Sequence, residues 1–212
     1  MPNQETIVRK EIVRIGKLLY DKNLIVATDG NISARLNKRI ILITPSGYCK
    51  GLLKPHEIIR MTIEGKPVFQ SKLKPSSEFQ MHLASYAKRP DINSIIHAHP
   101  VYATTLASAN DQNKQQVQEW FLNSPELSQM VGQIAWVGKY LPGSKELAQA
   151  IAPKIIEANV AFLSDHGVVV IGEDLTQALY RVERTEFAAK LYMMTKLLNI
   201  FSNNRTSDIK GN

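Results

Sequence analysis

Ser94-Ile95-Ile96-His97-Ala98-His99-Pro100 begins as a short apolar run and ends in two histidines one residue apart. In an extended strand, residues two apart share a face, so His97 and His99 can address one ion. Two buried, hydrogen-bonded core histidines would give the same letters. The register of the pair at the end of an apolar run, closed at once by Pro100, favours a metal site. Two imidazoles do not complete one, because zinc in a catalytic site takes three protein ligands and keeps a fourth position open. His56 and His82 lie in amphipathic, helix-like surroundings. His166 stands in Phe162-Leu163-Ser164-Asp165-His166-Gly167-Val168-Val169-Val170, between two β-rich runs, and is the expected third ligand.

Outward from these two stretches, helical and strand signals alternate without repeats. Ile7, Val8, Ile12, Ile15, Leu18 and Leu19 recur at helical spacing and predict an amphipathic first helix ending near Asn23. A hairpin follows over residues 32–36 and 40–43, then short strands at 58–63 and 67–69. Pro75-Ser76-Ser77 introduces a helix running to Lys88, and further helices are expected at 102–109, 144–158 and 174–201. Strands are expected at 94–97 and 134–137, with a strand pair across 160–171. Residues 111–132, polar and then broken by Pro125, give no clear period. The polar residues 202–212 read as a disordered tail after one domain, 1–201. Helices interleave with strands, and several strands are joined by tight turns. The expected fold is therefore α/β in three layers, a mixed, largely antiparallel sheet flanked by helices.

A chain of 212 residues with 44% hydrophobic content is long enough for one sizeable core. Its single cysteine, Cys49, leaves no internal disulfide framework, and the charged residues among the first nineteen exclude a signal-peptide core or a membrane span there. Together these point to the cytoplasm. A net charge of +7 invites a nucleic-acid partner, but the basic residues are scattered without an arginine-rich tract. A small anionic substrate accounts for the excess equally well, and neither nucleic acid nor membrane is expected as a partner.

Three short loops carry hydroxyls and glycines: Thr28-Asp29-Gly30-Asn31, Thr44-Pro45-Ser46-Gly47 and Pro75-Ser76-Ser77-Glu78. Each could be no more than a turn or a helix cap. Hydroxyls and backbone N–H groups at a helix start also suit an oxyanion such as phosphate. Glu78, nineteen residues before His97 with one helix between them, can return beside the strand end. A carboxylate there could remove a proton from the carbon next to a metal-bound carbonyl.

Thr28-x-Gly30-Asn31-x-Ser33-x-Arg35, Thr44-Pro45-Ser46-Gly47, Pro75-Ser76-Ser77-Glu78, His97-x-His99 and His166-Gly167, in this order, closely resemble the class II aldolase/adducin family, nearest to its fuculose-phosphate aldolase-like branch. The resemblance implies that His97, His99 and His166 bind a divalent ion, usually zinc. It implies that Glu78 is the proton-transfer base and can contact the metal when substrate is away. Asn31, Ser46, Gly47, Ser76 and Ser77 are implied to hold substrate phosphate, with Thr28 beside them. The implied reaction is cleavage or formation of a ketose 1-phosphate, dihydroxyacetone phosphate plus an aldehyde, through a metal-stabilised enediolate in a homotetramer. Related 4-epimerases carry aspartate where this chain has Glu78, while sugar-acid-phosphate decarboxylases share the enediolate chemistry. Adducin-like scaffolds lack the metal histidines, and all three are present here. The branch's aldehyde-handling tyrosines have no evident counterpart: residues 111–132 contain none, and the chain ends soon after its last helix.

Overall fold

A computed structural model describes residues 3–69 and 72–208. Asn3 caps the first helix by accepting a bond from the Glu5 amide at 2.7 Å. That helix, α1 (Gln4–Asp21), buries Ile12, Ile15 and Leu19. The hairpin β1 (Asn31–Asn37) and β2 (Ile40–Ile43) leads to β3 (Ile59–Thr62). Then come α2 (Phe79–Lys88), β4 (Ser94–Ala98), α3 (Val101–Ala107), α4 (Asp111–Leu122), α5 (Pro125–Val131) and β5 (Ile134–Val137). The remainder is α6 (Lys145–Lys154), β6 (Val160–Leu163), β7 (Gly167–Gly172) and α7 (Leu175–Asp208).

The strands form one seven-stranded sheet in the order β3-β2-β1-β4-β7-β6-β5. Every neighbouring pair is antiparallel except β5 with β6. The central strands read as continuous apolar runs because both their faces are covered. Ile96, Val168 and Val170 pack with residues of α1, α3, α4, α5 and α7 in one core. Ile95, Val169 and Ile171 pack with Met81 and Tyr86 of α2 and Leu147 and Ile151 of α6 in the other. The three-layer, mixed and largely antiparallel architecture is the one the sequence predicts. It sets the carboxyl end of β4 beside the amino end of β7, opposite the start of β1: His97 is level with Asn31 on one side and Val169 on the other.

The structure departs from the sequence expectations in four places. The strand expected at 67–69 is reduced to a single bridge, Met61 with Pro67, because proline has no N–H to offer a ladder. Residues 111–132 form α4 and α5, anchored by Val117, Phe121, Leu127 and Val131. Their apolar contacts are too few to impose a period on so polar a stretch. α6 ends at Lys154, one residue past Pro153, instead of reaching 158. α7 continues through Asp208 where a disordered tail was expected from 202, since extending an established helix costs far less than starting one. Residues 209–212 of that expected tail lie outside the described residues.

Candidate metal centre and its loops

His97 lies on the α2 side of β4 and is completely buried. Its Nδ1–H donates to the carbonyl of Val168 on the neighbouring strand, 3.0 Å away, which leaves the Nε2 lone pair pointing out of the sheet end. His99 follows two residues later, with Nε2 2.8 Å from Nε2 of His97. His166 arrives from the turn between β6 and β7, its Nε2 3.2 Å from the same atom. That turn is left-handed at Asp165, φ 56°, and the Asp165 carboxylate leaves the cluster to pair with Lys139 at 2.8 Å. One nitrogen from each of the three rings falls within 4.8 Å of the others.

Burial, reinforced by the neighbouring His99 and His166 rings, holds His97 well below the ordinary histidine range. Burial and His166 also lower His99, against the opposing pull of Asp29, whose carboxylate lies 3.6 Å from His99 Nδ1. One ring nitrogen of each of the three histidines converges on a common point, an arrangement that a shared cation satisfies.

Glu78 stands at the N-cap of α2, 8% exposed. Its Oε2 lies 3.3 Å from His97 Nε2, and its Oε1 3.3 Å from His166 Nε2. Oε2 accepts from Asn31 Nδ2 at 2.8 Å, whereas Oε1 is buried with no hydrogen-bond partner. A buried carboxylate oxygen left unsatisfied is costly. Three imidazole nitrogens and one carboxylate match the donor set of zinc and related divalent ions. The residues therefore fit a metal, and the orphaned Oε1 faces the place where it would sit.

Two of the candidate loops are fastened together beside this cluster. The Ser46 amide donates to the Lys74 carbonyl and the Ser76 amide to the Thr44 carbonyl, both at 3.0 Å, and Pro45 bridges to Pro75. Thr44 Oγ1 accepts from the Ile32 amide at 3.1 Å, tying the pair to β1. Ser76 is buried and accepts from the Glu78 amide at 3.3 Å, while Ser46, Gly47, Ser77 and Thr28 are exposed. Gly47 has φ 75° with open space where a Cβ would stand, so its backbone turns without filling the mouth of the site. Gly30 has φ 70°, and a Cβ there would come within 2.7 Å of the His97 carbonyl. Only glycine lets the first loop lie that close to the metal strand.

The structure brings His97, His99, His166 and Glu78 into one cluster, with the Asn31 amide spent on Glu78 and Ser76 bonded to the Glu78 backbone. Sequence reasoning missed Lys50 and His82. Lys50 is 2% exposed and donates from Nζ to the Thr28 carbonyl at 2.5 Å, with burial lowering its pKa. His82 is fully buried between α2 and β1. Its one sequence signal is its spacing of four residues from Glu78.

The class II aldolase and adducin N-terminal domain matches residues 10–193, so the chain belongs to that family. It is 36% identical over 190 residues to an L-fuculose phosphate aldolase of Methanocaldococcus jannaschii, covering 90% of this chain and 98% of that protein. It is 32% identical to a 3-oxo-tetronate 4-phosphate decarboxylase of Haemophilus influenzae, covering 88% of this chain and 87% of the relative. Among solved structures, an L-fuculose 1-phosphate aldolase superposes with a TM-score of 0.75 at 32% identity, covering 90% and 87% of the two chains.

Proposed function

We propose that this chain is a zinc-dependent sugar-phosphate aldolase that cleaves or forms a ketose 1-phosphate, with dihydroxyacetone phosphate as one partner and an aldehyde as the other. The observation that carries the reading is the Glu78 carboxylate, fixed through Oε2 and unpartnered at Oε1, against three converging imidazoles. His97, His99 and His166 would hold the ion, with Glu78 a further ligand when substrate is away. A divalent ion there supplies Lewis-acid polarisation of a carbonyl and charge stabilisation for an enediolate. Glu78 takes the proton from the carbon beside that carbonyl and returns it in the reverse direction. Ser46, Gly47, Ser76, Ser77, Thr28 and the second N–H of Asn31 receive the phosphate, on loops that the Ser46–Lys74 and Ser76–Thr44 bonds hold together.

Assembly as a homotetramer accords with the exposed apolar residues along α7, among them Phe187, Leu191, Met194 and Leu197. A cytoplasmic location accords with the lone free cysteine, and among the described residues no helix is long and apolar enough to cross a membrane. Decarboxylation of a 3-oxo sugar-acid phosphate is the second reading, favoured by the similarity to the Haemophilus protein. The deciding experiment is loss of the C3 proton of dihydroxyacetone phosphate in heavy water, followed by NMR with zinc-loaded protein and with Glu78→Gln. Exchange that needs both the metal and Glu78 supports the aldolase. A folded, metal-replete protein that exchanges nothing removes it and leaves the decarboxylase substrates.

A further inference from the structure

We propose that His82 is a positioning residue for the reaction above: its Nε2–H fixes the Asn31 carboxamide so that the amide N–H is delivered to Oε2 of Glu78, leaving Oε1 as the reactive oxygen. The inference rests on the proposed role of Glu78.

The geometry is a ladder between a helix and a strand. Glu78, His82 and Tyr86 are spaced by four along α2, about 6 Å per step. Asn31, Ser33 and Arg35 are spaced by two along β1, about 6.6 Å per step. The two repeats nearly match, so the side chains interleave in one buried row. Asn31 Nδ2 reaches Glu78 Oε2 at 2.8 Å, and His82 Nε2 lies 2.5 Å from Asn31 Oδ1. Ser33 Oγ lies 2.7 Å from His82 Nδ1 and 2.9 Å from the Tyr86 hydroxyl. Arg35 stacks over the Tyr86 ring at 4.6 Å, closing the far end.

Only one assignment of hydrogens satisfies every member. The Glu78 carboxylate only accepts, so Asn31 turns its NH₂ to it and its oxygen to His82. His82 must then donate from Nε2 and accept at Nδ1. Ser33 donates to that Nδ1 and accepts from Tyr86. Desolvation lowers His82 to about 3, so the ring keeps one N–H and the row keeps one direction. The opposite tautomer would turn the Asn31 carbonyl toward the carboxylate and push Glu78 out of place. His82 touches neither the three clustered histidines' ring nitrogens nor Glu78 in these bonds; it acts through Asn31.

Three substitutions separate this role from simple packing. His82→Gln places an amide where Nε2 was and can still donate to Asn31. His82→Asn reaches only toward Ser33, and His82→Leu reaches neither. In the dihydroxyacetone phosphate exchange assay with zinc-loaded protein, Leu and Asn should slow turnover by about 10- to 100-fold, the range for residues that orient a reacting group from behind. Gln should recover most of that loss, whatever the order of the three melting temperatures. Zinc affinity, read by chelator competition, should fall far less in these variants than in His97→Ala, since His97 and His99 keep their partners Val168 and Asp29. In the unliganded wild type, histidine 15N NMR should show His82 as the Nε2–H tautomer. A Gln variant as slow as Leu, or an Nδ1–H tautomer, overturns the proposal. Wild-type exchange matched by His82→Leu overturns this role alone, whereas wild type that exchanges nothing overturns the aldolase reading and this role with it.

Discussion

His82 makes acid sensitivity a quantitative test of the buried row. Its pKa falls from the usual 6.5 to about 3, burial being the cause. A base whose folded pKa is depressed contributes full stability above its unfolded pKa. That stability is lost progressively as pH falls from about 6.5 toward about 3, where the unfolded chain binds the proton and the folded one does not. Between pH 7 and pH 4.5 the loss from this one ring should be on the order of 2–3 kcal/mol, since each unit is worth about 1.4 kcal/mol. The assay is urea unfolding of metal-free protein at the two pH values, wild type beside His82→Gln. Both proteins share the titration of His97 and His99, so the difference between their pH responses isolates His82. The wild type should lose more stability on acidification than the variant, by that amount. Equal losses, or an NMR titration of His82 with a midpoint above 5, would refute the claim that this ring is held neutral by burial in a satisfied row.

Two further outcomes follow from the metal cluster and its glycines. Zinc at a hundredfold excess over its dissociation constant should stabilise the folded chain by about 2.7 kcal/mol, raising Tm by roughly 5–11 °C for a domain of this size; scanning calorimetry should show no such rise in His97→Ala. Gly167→Ala would put a Cβ 2.5 Å from the Ala98 carbonyl and 2.7 Å from Cδ2 of His99. It should cost about 1–3 kcal/mol in urea unfolding and weaken zinc binding by roughly tenfold as His99 is displaced; an alanine variant with wild-type zinc affinity would show that His99 does not depend on this close approach.

Chemistry confined to short spacings was legible in the chain. His97 and His99 share a face because strand side chains alternate, and the apolar runs around them read as doubly covered strands. Glu78 at a helix start was legible for the same local reason. The Asp111–Val131 helices were not, because their four buried anchors are diluted by polar residues that face solvent. Nor was the end of α7, where composition spoke for disorder while the helix simply continues.

His82 marks the boundary between the two kinds of information. By itself, the sequence determined which residue types were available and on which face of its own element each would lie: Glu78, His82 and Tyr86 along one helix, Asn31 and Ser33 along one strand. Only the tertiary structure decided that these two rows face each other within hydrogen-bond reach, that Asn31 gives one amide proton to Glu78, and that one carboxylate oxygen stays unpartnered beside three imidazoles. Periodicity along an element depends on local geometry. The pairing of two elements depends on sheet order and helix placement, which arise from burying both faces of the sheet at once and are not encoded at any single position.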